Sequence, residues 1–422
     1  MERKFAITQE EKIYLRELAK KYLELANLPI MEERQKLWYS HNALKGIKPV
    51  IVMEYLSFVD EITPVLKCIS PDAQEIEKNL IFPIINHELI DDDKVISPYY
   101  TVYWKIDISL FGLNMDKTYA EDKNGKKIGF SQHHPITDLT KDFEKIMSST
   151  YFADKEYTFA WKNYVNEIIG DILPVKIKNS NLDWHCAPSQ RIVELMGLEN
   201  MMIAMYDTPD EMHELYRFIK DDIMAFVKWQ EAEGLLVLNN HNDYAGAGSY
   251  GFTNELPTQE YKKTNHTSPK DIWINMNSQE TVGISPDMYG EFTFPAYYEL
   301  AKEFGMVYYG CCEPVHDIWE KYISKLNGLR KVSISPWCNE EYMGQVLAGG
   351  NVIYSRKPSP NFIGVEGSFD EAVFAEHITK TLRAAKGCNL EFIFRDIYAL
   401  SGDVSKPGRA VKIVRNLIDR IW

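Results

Sequence analysis

The sequence predicts a (β/α)8 TIM barrel of the α/β class, with an N-terminal helical extension and a β-rich insertion. Three observations predict it. First, short apolar runs recur through the C-terminal half at 235–238, 272–276, 306–309, 331–334, 352–354 and 390–394. Second, segments of helical character separate most of these runs, the pattern of parallel strands joined by crossover helices. Third, no glycine-rich phosphate loop follows any run, which disfavours a doubly wound open sheet. With the compact apolar run at 49–54 added, the set is rich enough to close a barrel of eight.

The elements follow in order. Thr8 and Glu11 form a capping-box pattern that opens a helix. Ile13, Leu15, Leu18, Tyr22 and Leu25 then recur at helical spacing, so residues 1–46 are expected to be helical and 47–422 to form the barrel. The stretch at 60–170 is irregular. Its 98–107 segment has strand character and 122–127 has turn character, so a β-rich insertion is expected there. Thr208, Pro209 and Glu211 supply cap, first-turn proline and closing carboxylate of a helix reaching about Ala232. Ser285 and Pro286 open another, ending near Gly305. Segments 315–327, 339–348, 369–386 and 406–421 supply the remaining helices.

Composition narrows the function. The 422 residues suit one large barrel or two ordinary domains, and 45% are hydrophobic, enough for a substantial core. A formal charge of −14 argues against nucleic-acid and anionic-membrane partners. The charged N-terminus lacks the apolar run of a signal peptide, and no apolar stretch approaches a membrane span. The cysteines at 68, 186, 311, 312, 338 and 388 have no framework spacing, so a reduced, cytoplasmic protein is expected.

In such a barrel the working groups stand where strands end. Here the runs lead into Asn239, Asn240, His241 and Asp243; into Asn277, Gln279 and Glu280; into Cys311, Cys312 and Glu313; into Trp337 and Cys338; into Arg356 and Lys357; and into Arg395 and Asp396. Six polar strand ends in succession exceed what solvation requires. Soft sulfur ligands beside Glu and His point to zinc, with Cys311, Cys312, Glu280 and His316 as candidate ligands. Adjacent strand residues face opposite ways, so both thiols reach one point only if the chain turns between them. Asp243, His241 and Tyr309 are the candidate catalytic groups. Asn239, Gln279, Trp337, Arg356 and Arg395 are the candidate substrate-binding groups. Asp396 beside Arg395 also fits half of an ion pair. Cys338 fits buried packing, and the Trp184-His185-Cys186 run fits loop packing. The glycine-rich stretch at 246–251 is expected as a loop over the mouth.

Gln279-Glu280-Thr-Val-Gly-Ile-Ser285-Pro286-Asp-Met-Tyr-Gly-Glu291-Phe resembles the helix start of the uroporphyrinogen decarboxylase superfamily. Ile192-Val-Glu-Leu-Met-Gly197-Leu-Glu199 and Tyr206-Asp-Thr-Pro-Asp210 resemble two of its helices. The resemblance covers roughly residues 190–420 and implies a (β/α)8 barrel. True decarboxylases of that superfamily carry an arginine-rich loop after the first strand. This chain has Val52-Met-Glu-Tyr-Leu-Ser-Phe58 there, without arginine, so the resemblance implies the methyltransferase branch. That branch exchanges methyl groups with a separate corrinoid protein and uses zinc held by an H-x-C strand end. Cys311 matches the cysteine, and Tyr309 stands at the histidine. The chain carries no cobalamin-binding signature of its own. The implied activity is zinc-assisted methyl transfer between a small, possibly methoxylated aromatic, substrate and the corrinoid. Two other readings stay open: a metal-independent decarboxylase using Arg356, Lys357 and Arg395, and a catalytically degenerate barrel within a methyltransferase complex.

Overall fold

The computed structural model describes residues 5–46, 48–121, 127–179, 186–365, 367 and 369–422. The expected turn at 122–126 and the Trp184-His185 pair lie outside the described residues. Two helices open the chain, α1 (Gln9–Ala26) and α2 (Pro29–Asn42). The capping box is present: Thr8 accepts from the Glu11 N–H and the Glu11 carboxylate accepts from the Thr8 N–H.

A parallel sheet of six strands forms the centre. In chain order the strands are β1 (Val50–Met53), β2 (Trp273–Met276), β3 (Met306–Tyr309), β4 (Leu329–Ile334), β5 (Ile353–Arg356) and β6 (Leu390–Phe394). Their spatial order is β1-β6-β5-β4-β3-β2. Helices cross between most of these strands, at Phe294–Ala301, Glu340–Leu347 and Glu371–Ala384, and a last helix (Lys406–Ile421) follows β6. The segment expected as a helix at 315–327 holds only two short 3-10 turns, His316–Ile318 and Ile323–Lys325.

Among the described residues the central sheet holds six of the eight strands expected, in a mixed α/β arrangement consistent with a barrel-like fold. Side chains reach the two edges instead. On β1, Asp93 accepts from the Ile51 N–H at 2.8 Å and Asp92 from the Met53 N–H at 2.7 Å. On β2, the Asn239 amide accepts from Trp273 N at 2.8 Å and donates to Trp273 O at 3.0 Å. An asparagine side chain can imitate a peptide group, so both Trp273 backbone groups on this edge are paired by a side chain. For the same reason residues 235–238 have no ladder of their own: the Asn179 amide pairs with both backbone groups of Val237. Between these edges in the sequence stand the parallel pair Tyr100–Tyr103 with Val175–Lys178 and two antiparallel pairs, Ile106–Ser109 with Thr150–Ala153 and Lys117–Glu121 with Lys127–Gln132.

Register decides which face each strand residue occupies. Asn275 pairs with Tyr308, Tyr308 with Lys331, Ser333 with Ser355, Ser355 with Glu391, Glu391 with Val50 and Ile393 with Val52. In-register residues of parallel strands share a face, so these line one side of the sheet. The alternate set, Ile274, Met276, Val307, Tyr309, Val332, Ile334, Tyr354, Phe392 and Phe394, packs with the helices in the largest apolar core. A second core joins α1 to the helices Pro71–Ile85 and Lys155–Ile169 through Leu15, Ala19, Leu80, Trp161 and Val165. Among the described residues no helix is long and apolar enough to cross a membrane.

The inner face is polar and is filled by a hairpin, Tyr244–Gly246 with Ser249–Tyr250. The glycines expected over the mouth sit here instead. A Cβ on Gly246 would meet the Asn275 Cβ at 2.2 Å, and one on Gly248 would meet Ile393 at 2.2 Å. Gly246 also has φ +108, which a side chain disfavours. Below the hairpin, Ser249 Oγ and Lys331 Nζ both donate to Glu391, at 2.9 and 3.1 Å, and His41 Nε2 lies 3.1 Å from the same oxygen. Burial alone would raise the Glu391 carboxyl, but Lys331 and His41 outweigh it and hold it well below the usual range.

Candidate active site

Strand ends β1, β2, β3, β5 and β6 meet at one end of this inner face. A cavity of about 780 Å³ opens there, walled by Glu54, Tyr103, Lys178, Asp243, Tyr244, Trp273, Asn275, Arg395 and Asp396 among others. Arg395 follows β6 and lies 3.4 Å from both the Glu54 and the Asp396 carboxylates. Tyr244 donates to the other Glu54 oxygen at 2.9 Å. Across the cavity, Lys178 donates to Asp243 at 2.6 Å. The Asn275 Oδ1 is buried without a hydrogen-bond partner, although its amide NH2 donates to Tyr308 O at 3.1 Å.

The thiol pair stands beside this wall. β3 ends at Tyr309, and Gly310 turns the chain with φ +95. The turn overrides strand alternation and brings the two sulfurs to 3.5 Å. Cys311 is pinned at both backbone groups: its N–H donates to Glu313 at 2.8 Å, and its carbonyl accepts from Ser333 Oγ at 2.6 Å. Glu313 also accepts from the Ser278 N–H at 2.9 Å, tying the ends of β2 and β3 together. Cys312 is half-buried and lies 3.8 Å from the Asp396 carboxylate. The contact between the thiols, followed by burial, raises Cys311. The same contact lowers Cys312, against burial and Asp396. At this distance the two thiols titrate as a pair, and charge on one opposes charge on the other.

Lys357 is buried just past β5 and donates to the Tyr308 hydroxyl at 2.6 Å, which in turn contacts Ser355 Oγ at 2.6 Å. Burial, then the neighbouring Arg395, pushes its ammonium down to about 8. Tyr308 and Lys357 thus connect the mouth to the polar interior of the sheet.

Several expected site residues stand elsewhere. Tyr309 is on the helix face, fully buried, with its hydroxyl on Ser278 at 2.5 Å and Tyr289 at 2.8 Å. Strand alternation gives the inner face to Tyr308 instead. Arg356 is likewise on the helix face, donating to the Ile334 and Ser335 carbonyls and to Glu340; it is occupied in holding the fold and not open to a substrate carboxylate. Asn239 lines the cavity, but its amide is spent on the β2 edge. His241 is exposed, with Nδ1 on Tyr39 OH at 2.5 Å. Gln279 is half-buried on a 3-10 turn, and Trp337 is 66% exposed on the rim; neither belongs to the cavity wall. Asp243 and Arg395 line the cavity wall. Glu54 and Lys178 also line the wall, and no motif or spacing in the sequence marks them.

The zinc ligand set does not assemble. Glu280 turns away to accept from Ser189 Oγ at 2.8 Å, and burial raises its carboxyl. His316 faces Asp317 at 3.8 Å. Among the described residues no three His, Cys, Asp or Glu side chains converge as a metal site. The thiols have charged neighbours of both signs, Arg395 and Lys357 against Asp396 and Glu313, and the Glu313 carboxylate is already taken up by backbone N–H groups. The residues present do not fit zinc.

The sequence matches no family model and no curated protein. Among solved structures the chain is similar to a methyltransferase from Methanosarcina mazei, at 12% identity and a TM-score of 0.48, over 92% of this chain and 98% of that one.

Proposed function

We propose that the protein is an enzyme that moves a methyl group between a small substrate in this cavity and a separate corrinoid protein. The observation that carries the reading is the placement of Cys311 and Cys312. They stand at a strand end beside the cavity wall, at the position where the resembled methyltransferases carry their strand-end cysteine. The corrinoid, brought by its partner, supplies the centre that gives or takes the methyl carbon. When a methyl leaves a substrate oxygen, sulfur or nitrogen, the bonding pair stays on that heteroatom. Arg395 provides a fixed positive charge for it, in a site already shaped by Glu54, Tyr244 and Asp396. The Cys311–Cys312 pair, beside Arg395, supplies an exchangeable proton for that heteroatom. The aromatic faces of Tyr103, Tyr244 and Trp273 in the wall favour a methoxylated aromatic substrate.

The mouth also suits a macromolecular partner. Leu56, Val282, Trp337 and Tyr398 are exposed apolar side chains on the segments that follow β1, β2, β4 and β6. Exposed apolar groups around one opening are a surface that a partner covers. The test is methylation of cob(I)alamin, as a surrogate acceptor, from a panel of methoxylated aromatics. Turnover that falls on Arg395→Ala supports the reading; cobalt methylation no faster than without protein contradicts it.

A further inference from the structure

The thiol pair has chemistry that does not depend on methyl transfer. The two sulfurs lie 3.5 Å apart, Cys312 is half-buried beside the cavity, and Cys311 is 4% exposed behind it. The Cys311 backbone is fixed by Glu313 and Ser333, so the inner sulfur stays within reach of the outer one. Arg395 stands close to both sulfurs and favours the thiolate. All six cysteines are free, and the remaining four, Cys68, Cys186, Cys338 and Cys388, are buried.

We infer that Cys311 and Cys312 form a reversible dithiol–disulfide couple, a modification site at the cavity mouth whose oxidising partner is a low-molecular-weight disulfide. The steps balance. The Cys312 thiolate attacks one sulfur of the small disulfide, forming a mixed disulfide and releasing one small thiolate. Cys311 then loses its proton and attacks the Cys312 sulfur. The protein disulfide forms and the second small thiolate leaves. The protein pair is oxidised by two electrons, and the small disulfide is reduced to two thiols. Neighbouring Cα atoms are about 3.8 Å apart, shorter than the roughly 4.4–6.8 Å of an ordinary disulfide. The bond is therefore strained, and strained disulfides are the readily reduced ones. Closing the ring shortens the 3.5 Å separation of the sulfurs beside Asp396, so oxidation alters the cavity wall and a thiol reductant restores it.

The experiment is oxidation of the full reduced chain with oxidised glutathione, read by intact mass and peptide mapping. The expected product has lost two hydrogens, within the peptide that holds 311 and 312, and dithiothreitol reverses it. Cys311→Ser should instead retain one glutathione on Cys312. Cys312→Ser should react at least about tenfold more slowly, since the remaining thiol is buried and raised. Cys338→Ala, the nearest other thiol in sequence, should behave as wild type. Circular dichroism checks that each variant is folded. A stable glutathione adduct on wild-type Cys312, no modification at all, or loss of the internal disulfide in Cys338→Ala overturns the inference.

Discussion

Replacing Lys357 by methionine should make the protein more stable at neutral pH. The ammonium is buried, and burial together with Arg395 brings its pKa from 10.5 to about 8. At about 1.4 kcal/mol per pH unit, that difference places about 3 kcal/mol of penalty on the folded state at pH 7. Methionine removes the penalty and fills similar space. It also removes the hydrogen bond to Tyr308, worth about 1 kcal/mol net, while Tyr308 keeps Ser355. The expected gain is about 2 kcal/mol at pH 7. The sign with pH follows from the direction of the shift. Between about 8 and 10.5 the unfolded chain binds more protons than the folded one, so wild-type stability rises with pH across that window. The variant's advantage is full below pH 8 and fades toward pH 10.5. Urea unfolding of both proteins at several pH values measures it. A variant less stable than wild type at pH 7, or an advantage that is the same at both ends of the window, refutes the account of Lys357 as a strained site group.

Three further outcomes follow from the geometry. Arg356→Met should destabilise the fold by about 3–5 kcal/mol in urea unfolding, since it removes the cation from the buried Arg356–Glu340 pair and one donor from each of the Ile334 and Ser335 carbonyls. Gly246→Ala should cost about 1–3 kcal/mol, because its Cβ would meet Asn275 at 2.2 Å and its φ is positive; thermal unfolding reads it, and an unchanged midpoint argues against the hairpin packing on β2. Elemental analysis after chelation should find zinc well below one per chain, with Glu280→Ala and His316→Ala no different from wild type.

Much of the fold is legible in the sequence because apolar runs and caps are local signals. All six sheet strands lie within a residue or two of their runs, and α1 begins at the capping box. The run at 235–238 misleads because its backbone is satisfied by Asn179, a side-chain partner that no periodicity reveals. The site is legible as a place more than as a set. Polar strand ends locate the mouth, but the face of each residue depends on register. That is why Tyr309 and Arg356 look like site residues yet stand on the helix face. Charged residues inside apolar strands, Lys331 and Glu391, were the available signal for a polar inner face. The convergence of Cys311 with Cys312 needed the positive φ of Gly310. Glycine before a strand-end pair allows such a turn but does not announce it.

The most direct test of the central claim is the rate of cob(I)alamin methylation from a methoxylated aromatic by chelator-treated wild type and Cys312→Ser. The account places the thiol pair and Arg395, without zinc, at the reacting centre. It predicts that wild type stays active after chelation and that Cys312→Ser falls by about 10²–10³, the scale for losing one oriented group at a reacting centre. Activity abolished by chelation and restored by zinc, or a Cys312→Ser rate equal to wild type, contradicts it.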